Sequence, residues 1–212
     1  MRSWSCLIVA VSAGVASLSC NLLMPLAVLG EQRKKVSPEF DKLAGKRVAV
    51  LLWTAPATLF DYPHMRFELA TYVGDKLHSE MAQRELGTQV VDPRDVEDYL
   101  QKNPDAQIDP YAVGKQFDAD YVIYLEVLQF QIRDPQEPQF LRGKVQASVT
   151  VHDIRADPGS QRRYELTPVD CVHPEEQPVL LTATNSPLIR EATYRKFAET
   201  VARKFYEYTV EM

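Results

Sequence analysis

Cysteine, glycine and histidine are scarce here: 3, 8 and 4 of 212 residues. Three cysteines, Cys6, Cys20 and Cys171, cannot build the framework of a small disulfide-stapled domain. The few glycines and 14 prolines follow no repeating period, which excludes collagen-like and low-complexity chains. Charge of one sign is also lacking. Lys and Arg number 24 against 29 Asp and Glu, a net charge of −5. That balance supplies no basic patch, so no nucleic-acid partner is expected. Beyond residue 30 no apolar run is long enough to span a bilayer, which excludes a polytopic membrane protein. The signatures G-x-S-x-G, H-E-x-x-H and G-x-x-x-x-G-K-[ST] are all missing. No catalytic residue, no metal site and no cofactor is therefore expected, and the chain reads as a non-enzyme. What is present is an ordinary globular composition, 45% hydrophobic and 25% charged.

The N-terminus is the most informative segment. Residues 3–30, 28 positions, carry no charge. Leu7 to Ala16 forms an apolar stretch of secretory-signal length. Small residues then precede Cys20, in Ala16-Ser17-Leu18-Ser19-Cys20. This resembles a bacterial lipoprotein signal, in which Cys20 becomes the lipidated first residue. The apolar run continues past Cys20, through Leu22-Leu23-Met24-Pro25-Leu26-Ala27-Val28-Leu29. The whole stretch therefore also suits an uncleaved transmembrane anchor, and a plain cleaved signal is the third reading. The layout expected from the first reading is a signal over 1–19, lipid attachment and tether over 20–45, and a single α/β domain over 46–212.

Within that domain, Lys46 to Trp53 is a β-branched-rich run that reads as a buried central strand. Met65, Leu69, Tyr72, Val73, Lys76, Leu77 and Met81 recur at helical spacing, predicting a helix from His64 to Arg84. Gly87 stands just beyond, suited to a left-handed cap. Thr88 to Val91 is a short strand. Asp92-Pro93 and Asp109-Pro110 each combine a capping side chain with a first-turn proline and open two further helices. Ala119 to Ile132 is continuously apolar at first and then alternates, so one face of its second half should meet water. Gly143–Arg155 and Arg163–Val169 form a meander with it, joined by the turn Asp157-Pro158-Gly159-Ser160. Ser186-Pro187 opens a last helix with Ile189, Thr193, Phe197, Val201, Phe205 and Tyr208 inward. The order β-α-β-α-α-β-β-β-α predicts a mixed sheet of about five strands with helices packed on it.

Three segments together carry a family likeness: Lys46-Arg47-Val48-Ala49-Val50-Leu51-Leu52, Ala119-Asp120-Tyr121-Val122-Ile123 after Val113-Gly114, and Gly143-Lys144-Val145-Gln146-Ala147-Ser148-Val149 running to Asp153. The chain from Lys46 onward resembles the periplasmic lipoprotein superfamily of the curli secretion pore subunit, LpoB, PelC and the TolB N-terminal domain. The resemblance implies a bacterial envelope location facing the periplasm, a membrane lipid anchor and action through an envelope protein partner, which it does not name. It also allows a homo-oligomer within an export channel. Lengthened alternating hairpins of the pore-forming kind are absent, which speaks against a pore.

Other clusters have plainer explanations. Cys171 and His173 lie in a Pro-rich segment and suit an ordinary loop thiol. Asp92, Asp95 and Asp98 suit helix capping and dipole complementarity. Arg162-Arg163 suits a solvated hairpin end. The best interaction candidate is the aromatic loop Trp53 to Pro63, which leaves the C-terminal end of the central strand. Trp53, Phe60 and Tyr62 are the expected partner-binding residues. The competing reading is that Trp53, Leu59 and Phe60 finish the core. A small-molecule or glycan binder using the same loop is the further alternative.

Overall fold

The computed structural model describes residues 33–134, 136–157, 160 and 162–211. The expected signal segment, Cys20 and the first part of the tether lie outside the described residues, as does the centre of the Pro158-Gly159 turn. The chain divides into two compact units. The smaller contains β1 (Arg33–Val36) and Thr209–Glu211, the greater part of β8 (Tyr208–Glu211). These two strands pair as their own sheet, with Arg33 Nη2 3.8 Å from Glu211 Oε1.

The larger unit, Ser37–Tyr208, holds the main sheet. Its elements are β2 (Arg47–Thr54), α1 (Pro56–Asp61), α2 (Met65–Gln83), β3 (Gln89–Val90), α3 (Pro93–Lys102), α4 (Pro110–Gln116), β4 (Tyr121–Arg133), β5 (Phe140–Asp153), β6 (Arg163–His173), β7 (Val179–Leu180) and α5 (Asn185–Ala202). The strand order is β3-β2-β4-β5-β6, with β7 also on β5. β2 runs parallel to β3 and β4; the remaining pairs are antiparallel. The expected mixed sheet with packed helices is thus formed. It has six strands, because Val179–Leu180 adds to β5.

Alternation along β2 explains the layering. Val48, Val50 and Leu52 enter one apolar cluster, while Ala49 and Leu51 enter another. Successive strand residues point to opposite faces, so the sheet has two cores. α2 and α5 cover the first face with Leu69, Leu77, Met81 and Phe197, none more than 1% exposed. α3 and α4 cover part of the second with Val96, Leu100 and Val113. On the first face α5 comes close to β5 because residue 143 is glycine. A Cβ there would lie 1.9 Å from Thr193 Oγ1. Phe40 and Leu43, in the stretch read as tether, are buried against the first core.

Several boundaries differ from expectation. Pro56–Asp61 is a helix rather than a loop, started by Pro56 in its first turn. β6 runs on to His173, past Pro168, because pairing with β5 outweighs the proline; Thr167 and Pro168 fall where the register shifts. Cys171 and His173 are therefore strand residues. The last helix stops at Ala202, so Phe205 lies in a 3-10 turn and Tyr208 in β8. Gly87 is left-handed as expected, φ 65°, but the residue directly after the helix cap, Glu85, is left-handed too, φ 55°. Leu86 N–H donates to the Met81 carbonyl and Glu85 N–H to Ala82, the paired bonds of a Schellman end.

The outer strand β6 is blunted as an edge. Thr167 N–H donates to Glu39 Oε2 at 2.7 Å, Pro168 has no N–H, and Val172 carbonyl accepts from Lys196 Nζ at 2.7 Å.

Candidate docking surface

The three aromatic residues singled out in the sequence go to different places. Tyr62 ends α1 and packs edge-on against Phe130, ring centres 4.8 Å apart. Phe130 in turn meets Tyr194 at 5.8 Å. Tyr62 thus ties α1 to the first core. Trp53 is half-buried on β2, in register with Glu126. By alternation it shares the face of Ala49 and Leu51, opposite Tyr62's cluster. Phe60 does neither. It is 89% exposed, the most exposed large hydrophobic side chain among the described residues. α1 buries none of its six residues. Phe60 therefore does not finish the core, and Leu59 and Trp53 are only half-buried.

Beside α1 lies a groove of about 400 Å³ between the start of α2 and α3. Leu59 and Phe67 give it an apolar side. Arg66 Nη2 bridges to Glu97 Oε1 at 2.6 Å, tying α2 to α3 with both side chains mostly buried. Arg94 and Asp98 complete a mixed-charge wall. Farther along the two helices, Gly74 admits Pro93: a Cβ at 74 would sit 2.8 Å from Pro93 Cγ. Asp92 caps α3 by accepting the Arg94 N–H at 2.8 Å, as the sequence reading expects. This groove was not legible in advance. Its walls are brought together by α2 and α3, and neither Arg66 nor Glu97 stands out by spacing.

The other clusters resolve structurally. Cys171 is 2% exposed, and burial pushes its thiol up to about 11, far from a nucleophile's range. Burial also lowers His173, with Lys196 acting in the same direction. Among the described residues no group of three or more His, Cys, Asp or Glu is placed to hold a metal ion. Arg162 is not simply solvated. Its guanidinium lies over the Tyr111 ring at 4.7 Å, and its Nε is buried without a hydrogen-bond partner. Among the described residues no helix is long and apolar enough to cross a membrane.

No protein-family model and no curated protein matches the chain. Solved structures do. The PelC dodecamer from Paraburkholderia phytofirmans is 10% identical, with 82% of this chain and 98% of that one covered at a TM-score of 0.45. Lipoprotein GNA1162 from Neisseria meningitidis is 13% identical, covering 73% and 99% at 0.41. The hypothetical protein CT253 from Chlamydia trachomatis is 15% identical, covering 74% and 96% at 0.39. At these scores neither assembly nor membrane attachment is carried over to this chain.

Proposed function

We propose that the chain is a non-enzymatic envelope lipoprotein, anchored through Cys20, that works by docking a protein partner on the surface around Phe60. The observation that carries the reading is Phe60 itself. It stands 89% exposed on a helix that buries nothing, beside a groove with an apolar side and a mixed-charge wall. Burying one Phe side chain is worth about 1.5–3 kcal/mol, and aromatic residues concentrate in the cores of protein interfaces. A surface-wide apolar patch is not needed for such an anchor. The anchor is supported by the uncharged residues 3–30 and the small residues before Cys20.

A photo-cross-linking amino acid at position 60, in cells carrying the full chain, tests the docking site. The expected result is one discrete adduct in the envelope fraction, lost when Arg66 and Glu97 are both replaced by Ala. Absence of any adduct at position 60, with Phe60→Asp leaving the cellular phenotype of a deletion fully complemented, overturns the reading. An adduct with a second copy of the chain turns it into the homo-oligomer.

A further inference from the structure

We propose that His152 is an acid-sensitive latch under α4: the helix stays seated on the sheet while His152 is neutral and loosens when His152 takes a proton. Its position carries the proposal. His152 lies on β5, between Val122 of β4 and Arg163 of β6. It is 8% exposed. Its ring meets Tyr111 of α4 edge-on at 5.5 Å and Tyr124 of β4 at 6.1 Å. Its Nδ1 is buried with no hydrogen-bond partner among the described residues. A buried imidazole in that state has little to stabilise a positive charge.

The charged and titratable neighbours do not supply the missing stabilisation. From β6 comes Arg163, whose guanidinium bridges to Glu165 at 3.0 Å. From the hairpin end comes Arg162, stacked on Tyr111. β4 contributes Tyr124, whose hydroxyl titrates above its ordinary range because of burial and then Glu126. α4 contributes Tyr111 and, at its cap, Asp109. Asp109 is the one group that favours the proton, but its Oδ1 already accepts the N–H groups of Tyr111 and Ala112 at 3.0 and 3.1 Å.

α4 has no slack with which to accommodate the charge. It spans seven residues, and Gly114 presses so close that a Cβ there would lie 2.5 Å from Ile154 Cγ1. Tyr111 of α4 lies against the ring that carries the buried Nδ1, so lifting the helix would open that side of the ring to water. Burial and then Arg163 hold the folded imidazole below its ordinary 6.5, with Asp109 opposing. The sign follows from linkage. The neutral form is the one the fold prefers, so its stability is fully present above about pH 6.5. That stability is lost as pH falls through the lower folded value.

The test is an NMR titration of the His152 ring in the full chain, with amide exchange of residues 111–117 at pH 7.5 and 5.5. The expected ring midpoint lies below the ordinary imidazole value of 6.5. After correction for intrinsic rates, exchange at 111–117 rises relative to α5 on acidification. His152→Phe removes the titration and abolishes that rise. A His152 midpoint at or above 6.5 overturns the latch, as does the same acid response in His152→Phe. If His152→Phe fails to fold, the wild-type exchange decides: no rise at 111–117 on acidification overturns the latch.

Discussion

The two faces of the main sheet are built from the same strands yet behave as different materials. The face under α2 and α5 is filled by long side chains: Phe197, Leu69, Leu77, Met81, Ile123, Leu125 and Leu141, none above 1% exposed. The face under α3 and α4 has smaller residues, Ala49, Ala106, Val113, Ala119 and Val122, around Leu51 and Leu100. It also buries a histidine with an orphaned nitrogen. Apolar burial scales with area, so the first face holds the fold and the second is the layer that conditions move. One alternation in β2 and β4 thus separates stability from response.

Substitutions can break that contrast. Phe197→Ala, in the first core, is expected to cost about 3–5 kcal/mol. Val113→Ala, in the second, removes two buried carbons and should cost about 2 kcal/mol. Urea unfolding of both variants checks the order, and equal losses would remove the asymmetry. Next in size is Gly143→Ala, where the new Cβ meets Thr193. It is expected to cost about 1–3 kcal/mol through overpacking. Thr193→Ala in the same chain should recover part of that loss, a coupling read by a double-mutant cycle. Smallest is Glu85→Gly. It relieves a left-handed residue at the end of α2 and should raise stability by about 1 kcal/mol. A drop in the urea midpoint would show that the Glu85 side chain contributes more than its backbone costs.

Much of this architecture was legible in the sequence. The continuous-then-alternating pattern of β4 predicts a strand buried on both faces and then open on one. That is what Tyr121–Arg133 shows. The Asp-Pro pairs at 92 and 109 predict two capped helix starts, and both carboxylates accept the expected N–H groups. What escaped was non-local or unpatterned. α1 has no buried residue and hence no stripe to read. β6 passes through Pro168 because β5 pairs on both sides of it. β1 and β8 find each other across the length of the chain. His152 shares one side of its strand with Gln146, Ser148 and Thr150, a polar set that does not announce a buried histidine. Tyr111 of α4 packs against it, and the sequence signals that helix without saying where it lies. Of the docking residues, the aromatic density of 53–63 pointed to Phe60, whereas Tyr62 packs on the first core and Trp53 sits half-buried on the opposite face of β2.

The central claim is that this domain works from a lipid anchor at Cys20. The most direct test is the intact mass of the native protein extracted from membranes. The expected species begins at Cys20 and carries the added mass of acyl lipid, and Cys20→Ala leaves the domain unanchored or the precursor uncleaved. A mass that begins at Met1 with no lipid, unchanged in location by Cys20→Ala, contradicts the claim.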